Sequence, residues 1–227
     1  ALIYCALTAA AVPMRHKTIK QIYIRLAALL LISCFTLLIC FDLVRGMKES
    51  KGSVRNFYGL LQLEHSLVNN VGITKLYHNS IMHGMQFSIK PYRYEPTGYY
   101  REKSGLGLAF RFLMDRKPAN FIKTGAIGMG IGTLAAYGRK GDDIIFYEIN
   151  PAVIRLATQT RWFSYSKDSK ADITIVSGDA RLSLEKELAL KERHNFDLLA
   201  IDAFSGDSIP VHLLTKEAFD LYFAHLK

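Results

Sequence analysis

Four apolar runs in this chain each end on residues able to bind or transform a nucleoside. Gly128, Gly130 and Gly132 follow the run 121–127, and Glu148 ends the run 143–147. Gly178, Asp179 and Ala180 close the run 171–176, and Asp202 ends 196–201. Glycines let a backbone come close to a neighbour where a side chain would collide. A carboxylate at the tip of the next strand can accept hydrogen bonds from both hydroxyls of a ribose. An acid at a further strand tip can take a proton from a reacting group. The plainer alternatives are a tight turn at the glycines, a Gly-Asp-Ala turn at 178–180 and a loop-capping role for Asp202.

The glycine spacing selects the class of nucleoside. A dinucleotide site calls for G-x-G-x-x-G. Here the pattern is G-x-G-x-G, and Thr133 stands where the last glycine would fall. This fits better the first motif of enzymes that use S-adenosylmethionine, whose ligand carries no pyrophosphate. A dinucleotide oxidoreductase is accordingly disfavoured.

The elements that must position these residues alternate in type. Strands are predicted at 121–127, 143–147, 171–176 and 196–201, and helices at 104–114, 133–137, 151–160, 181–191 and 215–226. Pro151 opens its helix in the first turn, where proline is tolerated. This alternation implies a parallel sheet in an α/β fold, and open sheets of that kind bind ligands at the carboxyl ends of their strands. Ahead of it, 54–64, 73–77 and 81–89 are strand-like, the last two forming a hairpin about His78, Asn79 and Ser80. A tyrosine-rich loop follows, in which Tyr99 and Tyr100 could wall a pocket or pack between domains. The expected division is 1–52 for membrane segments and linker, 53–103 for a small β domain and 104–227 for a Rossmann-like nucleoside-binding domain. A fifth strand is expected beyond Lys227, so the C-terminal strands are expected to be missing.

Charge and hydropathy bear on partners. The net charge is +9 over 227 residues. Eight Lys/Arg against Asp42 and Glu49 place +6 of it in residues 1–55. Basic residues flanking apolar segments suit lipid headgroups. Residues 56–227 show no basic stripe with interleaved aromatics, so nucleic acid is not expected as a partner. The stretch 22–44 is uncharged from Leu26 to Phe41. With Arg25 and Asp42 snorkelling at its ends, it approaches the ~20 residues that span a bilayer. Residues 1–13 read as the tail of an earlier membrane helix. Four basic residues on each side of 22–44 leave its orientation open. Cys5, Cys34 and Cys40 lie in apolar runs without metal spacing, so neither a disulfide framework nor a metal site is expected.

At these residues the chain resembles the spermidine synthase family of polyamine aminopropyltransferases, in the bacterial form fused to a multi-span membrane domain. The resemblance covers roughly 54–227. It implies a methyltransferase-like Rossmann fold behind a small β domain. The glycine motif corresponds to 127–132 and the ribose acid to Glu148 in YEIN. The adenine-site pair corresponds to Asp179 and Ala180 in SGDAR, the catalytic proton acceptor to Asp202 in IDAFSGD, and the later loop proline to Pro210. HGMQ adds His83 and Gln86 as substrate-side residues; packed polar side chains are the alternative reading. The chain departs from the family at three places. Gly130 replaces an aspartate, Ser205 replaces the acid three residues after Asp202 with Asp207 close by, and Ser104-Gly105 replaces a Tyr-His pair. The nucleoside half of the motif set is thus retained and the polyamine half altered.

The resemblance implies transfer of an aminopropyl group from decarboxylated S-adenosylmethionine to an amine such as putrescine, without a metal. Two other classes fit the residues: a small-molecule methyltransferase using S-adenosylmethionine, and a non-catalytic nucleoside-sensing domain of a membrane protein. A cytosolic co-substrate places the Rossmann domain on the cytoplasmic face of a multi-pass protein in the cell membrane. A homodimer is the oligomer left open by this reading.

Overall fold

The computed structural model describes residues 19–117, 121–158, 162–204 and 208–227. The expected helix tail at 1–13 and the residues Ser205 and Asp207 lie outside them. The chain divides between Glu49 and Ser50 into two compact units.

The first unit contains helix α1, Ile19–Glu49. Its segment Gln21–Phe41 is long and apolar enough to cross a membrane, with a mean hydropathy of 2.5 and no residue buried. Apolar side chains occur all around it rather than in a stripe, as in helices that face lipid.

The second unit begins with an antiparallel meander: β1 (Ser50–Asn56), β2 (Gly59–Val68), β3 (Val71–His78) and β4 (Ile81–Phe87), paired in that order. The predicted single run 54–64 is in fact two strands. They turn at Phe57-Tyr58 with Asn56 opposite Gly59. Asn69 and Asn70 make the next turn, both with positive φ, the backbone a two-residue hairpin requires. The predicted hairpin about Asn79-Ser80 is present, with His78 opposite Ile81.

Helix α2 (Gly105–Arg116) is capped by the Ser104 side chain, which accepts from Gly107 N–H. There follow β5 (Lys123–Ile127), β6 (Asp143–Glu148), α3 (Pro151–Thr158), the short α4 (Tyr165–Asp168), β7 (Asp172–Ser177), α5 (Ala180–Ala189), β8 (Leu198–Ile201) and α6 (Lys216–His225). The four strands form a parallel sheet in the order β7-β6-β5-β8. The strand order therefore reverses between β5 and β8, where open sheets of this kind form a ligand crevice. The predicted helix at 133–137 is a 3-10 segment.

One face of the parallel sheet packs under α5 and α6 through Ile145, Tyr147, Leu184 and Leu221. The other face shares its core with the meander. Leu61, Leu63 and Leu76 lie in one buried cluster with Met129, Ile131 and Phe146. Burying a side chain of this size contributes about 1.5–3 kcal/mol, so the two sheets of this unit stabilise each other. That shared core fixes the meander over the β5 tip.

The character of α1 gives a direct expectation. The full chain should sediment with membranes, resist extraction by high salt and be released by detergent. Recovery of the untreated chain in a high-speed supernatant would exclude the span.

Candidate functional site

The carboxyl ends of β5, β6, β7 and β8 open into a cavity of about 400 Å³. Gly128, Gly130, Glu148, Asp179, Ala180, Asp202, Pro210 and His83 all line it. Of the residues expected at the site, Gly132 and Gln86 do not, and Ser205 and Asp207 are outside the described residues.

Backbone hydrogen bonds continue the parallel sheet past the strands. Gly128 N donates to Tyr147 O, Gly178 N to Glu148 O and Asp202 N to Ile127 O, at 2.8–2.9 Å. The tips are thus held in register; β6, β7 and β8 deliver Glu148, Asp179 and Asp202 to the crevice, and β5 delivers the glycine turn. The glycines serve this packing as much as any ligand. Gly128 has φ +95°, and a Cβ there would lie 2.4 Å from the carbonyl oxygen of Asp202. Gly132 has φ +81°, and its Cβ would meet Ser166 Oγ at 2.6 Å. It permits α4 to close against the turn, which is why it sits behind the cavity wall.

Glu148 is 8 % exposed. Its Oε2 accepts from Met129 N–H at 3.0 Å and its Oε1 from Asn150 N–H at 2.8 Å. Burial raises its pKa, and the backbone donors offset this in part. Two carboxylate oxygens offer about four acceptor directions in all, so the backbone donors leave acceptor capacity for a ligand hydroxyl.

Asp202 is gripped from the meander side of the cavity. Tyr99 OH donates to its Oδ2 at 3.2 Å, and Tyr100 OH donates to the same oxygen. Burial raises the pKa of Asp202, and the two phenols partly counter it by favouring the anion. Burial and the adjacent carboxylate hold both phenols well above their ordinary pKa. The result is a carboxylate aimed by two neutral donors, with its pKa raised above the ordinary aspartate value by burial.

Asp179 caps α5 through Oδ1, which accepts from Leu182 N–H at 3.0 Å, while Oδ2 lies 2.9 Å from His212 Nε2. His83 stacks edge-on to Phe204 and beside His78, and its Nε2 is buried with no partner among the described residues. Burial and the nearby His78 lower its pKa. His78 Nε2 donates to Tyr58 O at 2.5 Å.

Gln86 does other work. Its Nε2 donates to Arg93 O and Ser164 Oγ, and its Oε1 accepts from Ser164 N–H, all within 2.9 Å. At 3 % exposure the side chain latches the meander to the parallel-sheet half. All of its named polar contacts are to protein, which is the physical reason it faces away from the crevice.

Tyr58, His78, Asn150 and His212 also line the cavity and were not singled out in the sequence. Asn150 lay inside the YEIN motif and His212 two residues past Pro210. Tyr58 and His78 had no signal, because only the meander's register brings them to the β5 tip.

No family model matches. The polyamine aminopropyltransferase of Vibrio vulnificus (strain CMCP6) is 32% identical over 110 residues, which cover 46% of this chain and 33% of that protein. The spermidine synthase of Thermotoga maritima superposes with a TM-score of 0.50 at 21% identity, covering 79% of this chain and 54% of that one. A spermidine synthase solved in complex with the transition state analogue AdoDATO gives 0.48 at 19% identity, covering 79% and 53%. The chain thus spans about a third of the curated relative and about half of the Thermotoga structure. Its α/β fold, a parallel four-stranded sheet with a small antiparallel sheet, is similar to that of the Thermotoga spermidine synthase.

The grip on Asp202 predicts a shift of known sign. Tyr100→Phe removes a donor that favours the anion, so the Asp202 carboxyl should titrate at higher pH than in the wild type, as read by carbon NMR of labelled aspartate. A raised folded-state pKa also means that Asp202 favours the fold below its unfolded value, about 3.9, and that this stabilisation is lost as pH rises through the folded value. An unmoved or lowered titration in Tyr100→Phe would show that the phenol does not hold the carboxylate.

Proposed function

We propose that the chain is an aminopropyltransferase that takes decarboxylated S-adenosylmethionine and a polyamine acceptor such as putrescine. One observation carries this reading. The described residues lining the cavity include three carboxylates, Glu148, Asp179 and Asp202, and no lysine or arginine. Such a lining suits a cationic ligand and a nucleophilic amine. It is hostile to the amino-acid carboxylate of S-adenosylmethionine itself, and this favours the decarboxylated compound over a methyltransferase's substrate. The names of the Vibrio relative and of the Thermotoga structure support the same class.

In this reading Glu148 accepts the ribose hydroxyls and Asp179 with Ala180 borders the adenine. The acceptor's amine nitrogen attacks the carbon beside the sulfonium. The carbon–sulfur bond breaks, its electron pair returns to sulfur, and 5′-methylthioadenosine leaves as a neutral thioether. The amine's extra proton passes to Asp202, which Tyr99 and Tyr100 hold in place. No metal is required, since the sulfonium is already a good leaving group; positioning supplies much of the rate. Residues 53–103 act as the small β domain bordering the amine side, and residues 104–227 as the nucleoside-binding domain. We further infer a multi-pass protein of the cell membrane, with the Rossmann domain facing the cytosol, where the co-substrate is made.

The test is single-turnover transfer from decarboxylated S-adenosylmethionine to putrescine. Asp202→Asn keeps shape and accepts from both tyrosines but cannot take the proton, so the rate should fall by about 10²–10⁴, with nucleoside binding little changed. The wild-type rate should fall with acid as Asp202 protonates, at a pH above the ordinary aspartate range. Calorimetry should find the decarboxylated compound bound about ten-fold or more tightly than S-adenosylmethionine. Equal rates for the wild type and Asp202→Asn would remove Asp202 from the chemistry. Methyl transfer without aminopropyl transfer would replace the assignment.

A further inference from the structure

On the β7 side of the cavity, Asp179 and His212 form a pair, and both residues line the cavity. Asp179 follows β7, whereas His212 sits in the 3-10 turn Val211–Leu213, between β8 and α6. β7 and β8 are the two outer strands of the parallel sheet, so the pair joins segments that start from opposite edges. Asp179 Oδ1 is committed to capping α5, where it accepts from Leu182 N–H. Oδ2 is not needed for that cap and accepts instead from His212 Nε2 at 2.9 Å. A carboxylate oxygen only accepts, so Nε2 carries the hydrogen. The turn itself is held by Arg181, whose Nη1 donates to His212 O at 3.0 Å and to Thr215 Oγ1 at 3.2 Å. Asp179 and Arg181 belong to the cap and first turn of one helix, so α5 fixes both partners of the pair.

The fold gains little from this contact. The His212 side chain is 50% exposed and that of Asp179 20%, and pairs open to water contribute little to stability. Leu213, which is buried, anchors the same turn without help from the imidazole. What the pair accomplishes is orientation. With Leu182 N–H on one oxygen and His212 on the other, the carboxylate is held in one rotation. It retains acceptor capacity, since its two oxygens offer about four directions in all. Beside Ala180 the cavity wall thus has a fixed group that accepts and does not donate. Such a group suits a base edge that presents an amine. It opposes one that presents a carbonyl, whose oxygen would face it without a hydrogen between them.

We propose that His212 is a positioning residue that determines base specificity: it holds the Asp179 carboxylate in the setting that selects a 6-amino purine over a 6-oxo purine. The inference rests on the reading in which Asp179 borders the adenine, and deepens it by naming the residue through which Asp179 discriminates.

The experiment measures binding of 5′-methylthioadenosine and 5′-methylthioinosine to the full chain in detergent micelles. The wild type should prefer the amino compound by about ten-fold or more. His212→Phe and His212→Ala both remove the donor, the first keeping a flat ring. In these variants, shown to be folded by thermal unfolding, the preference should collapse toward one, chiefly through weaker binding of the amino compound. His212→Gln keeps a donor without the ring and should retain most of the preference. An unchanged preference in the Phe and Ala variants overturns the proposal. So does an equal loss of affinity for both compounds, which is the mark of a merely structural role, or a collapse in the Gln variant as complete as in the others. A wild type that binds neither compound, or both alike, overturns it too. Aminopropyl transfer with a preference insensitive to His212 would leave the proposed reaction standing without this role. A sensitive preference in a chain with no transfer activity would leave the role standing without the reaction.

Discussion

The arrangement depends on one close approach, that of the β8 tip to the turn after β5. Gly128 lies against the carbonyl of Asp202 so closely that a methyl group would overlap it. The positive φ of that glycine turns the chain away just as Asp202 arrives. Any L-residue there would bear both a strained backbone and a steric clash. Because the approach is permitted, the β5–β8 ladder runs to its end, and the sheet's point of reversal becomes a crevice rather than a gap. Glu148 enters that crevice from one side of β5 and Asp202 from the other.

Around that approach the meander acts as the second jaw. Its hydrophobic face continues the core of the parallel sheet, and its polar edge supplies Tyr58, His78 and His83. The loop leading out of it carries Tyr99 and Tyr100 to Asp202. Gln86, bonded to Ser164, and Arg93, 2.9 Å from Asp168, tie that loop's approach to the parallel-sheet half. Acidity at Asp202 is therefore set jointly by two parts of the sequence about a hundred residues apart.

Much of the parallel sheet was legible in the sequence. Strands buried on both faces read as unbroken apolar runs, and a polar residue at the end of each run has to lie at the sheet's edge. The location of Glu148 and Asp202 followed from that alone. The β1–β2 turn was illegible for the opposite reason: Phe57-Tyr58 looks like strand, yet Phe57 is almost wholly exposed at the bend. The glycines were visible as a turn. That Gly128 and Gly132 accommodate Asp202 and Ser166 could not be seen, because those neighbours come from distant segments. Gln86 was visible as a polar residue among apolar ones, but its partner Ser164 is 78 positions away. Local pattern reports which face a residue takes; it does not report who waits there.

The shared core has a consequence for traffic through the site. Leu61, Leu63 and Leu76 belong to the same buried cluster as Met129 and Ile131, so the meander cannot swing aside as a rigid flap without exposing that cluster to water. Entry and departure of a ligand fall instead to the rim, where Tyr99 and Phe204 are exposed and His212 is half-exposed. The enclosure is thus a vault with a fixed ceiling and a narrow threshold. Evolution can retune its threshold by altering rim residues, whereas a change to the ceiling has to be matched by the floor.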